Sequence, residues 1–224
     1  MSWENLADWW LGEVRDPAYD GVVTPLLLEL LEGVEAGGAV ADLGAGEGRV
    51  IPAVSDRLRV AVVGLEVSES LAVLVEAPVV VASLPNSPFA GGSLGGAYAV
   101  LVLDHLPDHE AFFAEVARVV QPGGFLAIVS NHPVWTAPGS TPISDDDGEI
   151  LWRPGSYFES GETVEPAGED QVVFFHRSVS DILNTASAAG WDLLRMVEKP
   201  HHDEGADPGI PRLVGFRWIR RRPA

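Results

Sequence analysis

The residues with the clearest chemical purpose run from Ala41 to Arg49, Ala-Asp-Leu-Gly-Ala-Gly-Glu-Gly-Arg, where an apolar run gives way to three glycines at alternate positions. Glycine tolerates a left-handed backbone and carries no side chain, so such a loop lets the main chain approach a nucleotide-like ligand lying across a strand end. Glu66 closes the next apolar run about twenty residues on, where a carboxylate can accept hydrogen bonds from both hydroxyls of a ribose. His105, His132 and His176 each follow or close an apolar run. Imidazole titrates near neutrality, so any of the three can serve as a proton acceptor or simply satisfy loop backbone groups. His201-His202-Asp203-Glu204 contains metal-capable types, but adjacent residues rarely face one ion; Asp145-Asp146-Asp147 lacks the alternate spacing of a calcium loop. Both are read as solvated loops, and no metal is expected.

Positioning these groups requires a sheet. Helical spacing of Trp3, Leu6, Ala7, Trp10, Leu11 and Val14 predicts an amphipathic helix over 3–14, with Ser2 as a possible N-cap. A second helix is expected after Asp20, with Pro25 in its first turns and Gly33 beyond its end. Short valine-rich runs then alternate with helical patterns, the layout of parallel strands joined by crossover helices. The expected strands are 39–43, 60–65, 79–82, 97–103, 125–130, 172–176, 191–198 and 213–219. The clearest helix, 108–120, has Asp108 as N-cap and Phe112, Phe113, Val116 and Val119 on its inner face, with Gln121-Pro122-Gly123-Gly124 ending it. Another helix spans 178–189 and stops at Gly190. Residues 132–170 lose this periodicity, and a stretch that long usually has a function. Its aromatics Trp135, Trp152, Tyr157 and Phe158, with Phe174 and Phe175 beyond, either line a pocket for an apolar acceptor or pack beneath the insertion.

Composition narrows the partners. Fourteen basic residues against thirty-three acidic ones give a net charge of -19, which repels phosphate backbones and anionic lipid surfaces, so neither nucleic acid nor membrane is expected as a partner. With no cysteine, disulfides, thiol nucleophiles and thiolate metal sites are excluded. The first ten residues carry Glu4 and Asp8 instead of a basic segment before an apolar run, and a cytoplasmic protein is expected.

The acidic residue followed by Gly-x-Gly-x-Gly, here Asp42, Gly44, Gly46 and Gly48, resembles the first motif of the class I S-adenosylmethionine-dependent methyltransferases, particularly the small-molecule type. It differs from the Gly-x-Gly-x-x-Gly of nicotinamide and flavin proteins, whose third glycine falls one residue later. The resemblance continues through Leu84-Pro85-Asn86-Ser87-Pro88-Phe89, Val102 to Asp108 and the Pro122-Gly123-Gly124 turn, covering roughly residues 19 to 131. It implies a Rossmann-like, seven-stranded, mostly parallel α/β sheet with helices on both faces and an antiparallel last strand. It also implies S-adenosyl-L-methionine as cofactor and methyl transfer to a small organic acceptor, preferably at an oxygen, with N-terminal helices (1–36) as a lid and 132–170 as the acceptor pocket.

Carried over by residue, Gly44, Gly46 and Gly48, with Ala45 among them, let the backbone approach the methionine portion, and Glu66 holds the ribose. Asp42 orders the loop or meets the amino group; Arg49 pairs with the ligand carboxylate or lies on the surface. Ser83 and Leu84 form the adenine edge, and Leu103 floors the cleft beneath the sulfonium. His105 and His132 are the candidate bases. The chain departs from the family pattern at Ser83, where aspartate is usual, in the short connection from Glu66 to Val79, and at Gly95-Gly96, where an aspartate often enters the fourth strand. These departures point to an abbreviated adenine side and keep open a non-catalytic binding module of the same fold; a second alternative is a nicotinamide-dependent oxidoreductase, against which Gly48 and Arg49 argue.

Overall fold

The computed structural model describes residues 2–13, 19–144, 150–200 and 210–223. Val14, the triple aspartate at 145–147 and the His201 to Glu204 stretch lie outside the described residues. Seven strands form one sheet in the order β10-β11-β5-β4-β1-β2-β3. At its centre, β1 (Val40–Leu43) pairs in parallel with β2 (Val62–Glu66) and β4 (Leu94–Val100). Strand β3 (Val79–Val81) forms one edge. On the other side β5 (Val120–Asn131) lies parallel to β4, and β11 (Pro211–Arg220) runs antiparallel between β5 and β10 (Trp191–Pro200). This is the mostly parallel sheet with an antiparallel last strand that the sequence predicts.

Both faces are covered, as buried parallel strands require. Alternate residues of β4 point to opposite cores: Ala97 and Ala99 pack with Phe112, Phe113 and Val116 of α5 (His109–Val119) and Ile182 of α7 (Val179–Ala188). Tyr98 and Val100 pack with Leu26, Leu27 and Leu30 of α2 (Thr24–Leu30) and Val54 of α3 (Ile51–Leu58). The helix starts are locally encoded: Asp108 accepts from the Ala111 N–H at 2.8 Å and Ser178 from the Asp181 N–H at 3.2 Å.

Four elements differ from expectation. The second helix opens with a π-helical turn (Tyr19–Val23) before α2. Strand β4 stops at Val100 instead of reaching 103, because Leu101 adopts a left-handed backbone (φ 55°) that turns the chain into a 3-10 segment, Leu103–His105. The Pro122-Gly123-Gly124 stretch is no separate turn but an irregularity inside β5, where pairing slips between Leu94↔Val120 and Gly96↔Phe125. Helix α4 (Glu69–Ala72), capped by Ser68, has one turn where the short connection from Glu66 to Val79 leaves room for about two between Ser68 and Val75. Gly95 and Gly96 have a packing reason independent of any ligand: a Cβ on Gly96 would overlap the Phe125 ring, and one on Gly95 would lie 2.5 Å from the Gly38 nitrogen.

The 132–170 stretch folds into a short helix α6 (Pro133–Thr136), strands β6 (Thr141–Ser144) and β7 (Ile150–Arg153) paired antiparallel, and β8 (Gly161–Ala167). Strand β8 pairs antiparallel with β9 (Asp170–His176), so β9 belongs to this hairpin and not to the main sheet. An amphipathic helix α1 (Trp3–Glu13) packs Leu6 against Ala167 and Val172 of the same hairpin. Among the described residues no helix is long and apolar enough to cross a membrane.

Candidate functional site

Strand order reverses between β1 and β4, and the loops at their carboxyl ends part there to form a crevice. A cleft of about 600 Å³ opens at this point, within the size range of small-molecule sites. The loop after β1 folds over the end of β2: the N–H groups of Gly44 and Ala45 both donate to the Leu65 carbonyl, at 2.8 and 3.0 Å. Gly44 and Gly46 line the cleft with φ of 81° and 56°, a left-handed region costly to residues with a Cβ. A Cβ on Gly44 would also come within 2.5 Å of Val102 Cγ2.

Glu66 holds this loop closed. Its Oε2 accepts from the Gly46 N–H at 2.8 Å, and its Oε1 accepts from the N–H groups of Val67 and Ser68 at 2.8 and 2.9 Å. The side chain is buried yet lines the cleft, and an ionised carboxylate has about four acceptor positions, so one remains for a ligand hydroxyl. Asp42 sits behind it, accepting from the Tyr98 hydroxyl at 3.0 Å. Burial, reinforced by the Glu66 and Glu47 carboxylates and opposed by the Tyr98 hydrogen bond, pushes Asp42 up to about 8. The folded chain therefore holds a proton that the unfolded chain releases near pH 4, and this group's stabilising contribution is lost as pH rises through about 8. Asp42→Asn, which keeps an acceptor for Tyr98, should raise the calorimetric melting temperature at pH 8 and leave it nearly unchanged at pH 4.

Helix α1 crosses the mouth. Glu4 accepts from the Ser68 hydroxyl at 2.7 Å and from Ser70, while Trp10 Nε1 donates to Glu47 Oε2 at 2.9 Å. Trp3 packs edge-on against the His105 ring, centroids 5.0 Å apart. Arg49 lines the cleft, pairs with Glu47 and lies over the Tyr19 ring at 4.5 Å.

The three histidines separate cleanly. His105 lines the cleft, with Nδ1 2.9 Å from the Val173 carbonyl oxygen. A carbonyl only accepts, so Nδ1 carries the proton and Nε2 keeps its lone pair. Burial holds this imidazole below its ordinary value against the raising influence of Asp104, the Val173 carbonyl and Glu165, so it is neutral at pH 7. His132 lies away from the cleft as the N-cap of α6: Nδ1 accepts from the Val134 N–H at 3.1 Å and Nε2 donates to Glu198 at 2.8 Å. Both nitrogens are engaged, and the structure does not bring this residue to the cleft beside His105. His176 is likewise spent, between the Thr136 hydroxyl and the Tyr157 carbonyl.

Of the other expected residues, Ala45, Ser83 and Leu84 line the cleft. Gly48 and Leu103 do not. Gly48, with φ 81°, packs on Val75 and Ile51, and Leu103 turns into the core under α5, leaving Leu101 and Val102 to line the cleft. The aromatics of 132–170 divide too: Trp135 and Trp152 pack on each other at 4.3 Å, and Phe158 is exposed. Only Phe175, beyond them, lines the cleft, while Phe174 backs the His105 ring at 4.7 Å.

Sequence reasoning missed Glu4, Glu47 and Arg177. Buried Arg177 donates to the carbonyls of Leu103 at 3.1 Å, Pro107 at 2.9 Å and Leu106, fixing the turn that carries His105. No spacing rule marks an arginine whose partners are carbonyls some seventy residues away.

Comparison with known proteins places this geometry. Residues 41–128, which carry the glycine loop and β4, match the family described as a methyltransferase domain. A 24-methylenesterol C-methyltransferase of Arabidopsis thaliana is 25% identical over 193 residues, 80% of this chain and 48% of its own. An O-methyltransferase of Aspergillus sclerotiorum is 33% identical over 104 residues, 42% of this chain and 39% of its own. The chain thus spans about half the length of these relatives, or less. The crystal structure of an S-adenosylmethionine dependent methyltransferase from Mesorhizobium loti superposes with a TM-score of 0.78 at 24% identity, over 90% of this chain and 99% of that one. Residues 41–128 thus match a methyltransferase domain, and the fold around that segment is the one seen in the Mesorhizobium loti structure.

Proposed function

We propose that this chain binds S-adenosylmethionine and methylates a small organic acceptor at an oxygen. The observation that carries the reading is the clasp of Glu66 on the Gly46 N–H, which forms a bare-backbone wall beside a buried carboxylate at the mouth of the cleft. The cleft fits the cofactor: two lining glycines have conformations that a side chain would strain, and the volume suits a nucleoside with an amino-acid tail. Gly44, Ala45 and Gly46 would face the methionine portion, Glu66 the ribose, and Ser83 and Leu84 the adenine. When bound, S-adenosylmethionine supplies an electrophilic methyl group on a sulfonium.

The remaining chemistry belongs to the chain. His105 Nε2 takes the proton from the acceptor hydroxyl, its tautomer set by Val173 and its turn held by Arg177. Helix α1, bonded to the Ser68 region and packed on the β8–β9 hairpin, acts as a lid that limits water access, and that hairpin forms the acceptor wall. In the acidic limb of kcat/KM, activity should hold until pH falls below 6.5, since His105 must be neutral and its titration is displaced downward. His105→Asn should lower turnover by about 100-fold while leaving affinity for S-adenosylhomocysteine unchanged. Calorimetric titration with S-adenosylhomocysteine tests the reading as a whole: micromolar binding is expected, and none at millimolar concentration would sink it.

A second reading, a binding module without turnover, is favoured by Ser83, whose hydroxyl is turned to the Leu84 carbonyl at 3.3 Å, and by the single turn of α4. Binding of S-adenosylhomocysteine with no transfer to any acceptor would select it.

A further inference from the structure

The acceptor end of the cleft has a charge character that neither the fold nor the cofactor requires. Its walls are apolar or aromatic, from Trp3, Leu106, Pro107, Val173 and Phe175. Around the whole cleft the described lining carboxylates are Glu4, Glu47, Glu66 and Glu162, with Asp42 holding its proton below about pH 8, against one described lining cation, Arg49, which is paired with Glu47. Arg177, under the floor, is buried, donates to backbone carbonyls and lies over the Phe175 ring at 5.6 Å from its centroid.

Most of these carboxylates are engaged. Glu66 serves three backbone N–H groups, Asp42 serves Tyr98, and Glu4 serves Ser68 and Ser70. Glu162 differs: it stands opposite Phe175 in the β8–β9 register, exposed at the cleft, with no hydrogen bond or ion pair among the described residues. Its pairing with Phe175 sets a carboxylate beside an aromatic side chain of the cleft wall, so an ammonium group seated there meets Glu162 while the rest of the molecule meets an apolar surface. A carboxylate or phosphate in the same place would meet Glu162 head-on, while among the described residues Arg49 is paired with Glu47 and Arg177 is bonded to backbone carbonyls.

We infer that the acceptor is an apolar or aromatic molecule carrying a protonated amine, seated with the ammonium at Glu162 and its hydroxyl toward His105. This rests on the methyl-transfer reading for the role of His105, while the charge preference is measurable without it.

The test uses three probes of matched size, tyramine, 4-ethylphenol and 4-hydroxyphenylacetate, titrated calorimetrically into the full chain with and without S-adenosylhomocysteine. Tyramine should bind about tenfold more tightly than 4-hydroxyphenylacetate, with 4-ethylphenol between them. In Glu162→Gln the tyramine advantage should shrink about threefold, because an exposed charge is screened and contributes modestly. Binding of 4-hydroxyphenylacetate within about threefold of tyramine would overturn the assignment, as would no measurable binding of any probe or an advantage untouched by Glu162→Gln. The expected probe order without binding of S-adenosylhomocysteine would keep the charge assignment and overturn methyl transfer.

Discussion

Gly46→Val should lose S-adenosylhomocysteine affinity by about 100-fold or more, because two costs fall on one residue. Gly46 has φ 56°, which a β-branched residue enters only at about 1–2 kcal/mol. Its new Cβ would also stand 3.3 Å from Trp10 Nε1, whose N–H is bonded to Glu47, so the indole must give by a few tenths of an ångström, and the branched methyls crowd it further. Far-UV circular dichroism should be unchanged, since Gly46 lies in no helix or strand. Gly46→Ala should fall between the two, sharing the backbone cost without the branched side chain. Full affinity in the valine variant would move the cofactor site elsewhere.

Glu66→Ala should be the most destabilising single change at the cleft. Three backbone N–H groups, on Gly46, Val67 and Ser68, lose their acceptor together. An orphaned buried donor costs about 1–3 kcal/mol, and water from the cleft can reach some of them, so a net loss of about 3 kcal/mol is expected. Urea titration should show the midpoint falling accordingly, with cofactor affinity lost even where the chain is still folded. Glu66→Gln leaves one oxygen as acceptor but turns an NH2 toward backbone donors, and should recover only part of the stability. An unchanged midpoint in Glu66→Ala would mean that the carboxylate does not organise the loop.

What the sequence makes legible here is what depends on near neighbours. Asp108 and Ser178 cap helices through bonds spanning three residues, and the apolar face of α5 needs only its own periodicity. The parallel strands and the glycine loop follow from the alternation of runs and from one motif. The misplacements have tertiary causes. Gly95-Gly96 looks like a damaged cofactor motif from its spacing, whereas the ring of Phe125 on the neighbouring strand leaves no room for a Cβ. Leu103 is displaced from the cleft by the left-handed Leu101, a conformation unusual for leucine and held by the Leu101 N–H donating to Val129 at 2.8 Å. His132 resembles His105 in sequence, and only the helix it caps and the strand carrying Glu198 reveal that its nitrogens are occupied. For α1 the pattern shows an apolar face but not what it covers, so the parts played by Glu4 and Trp10 emerge only once α4 and the glycine loop are in place.

The carbonyl that fixes the His105 ring belongs to Val173, on the same hairpin whose Glu162, Val173 and Phe175 border the cleft. On the proposed reading, selectivity and proton abstraction are therefore wired to one segment. A lineage that remodelled this hairpin to admit a new molecule would retune its base in the same stroke. Grafting the hairpin from a relative would transplant both properties together or forfeit both.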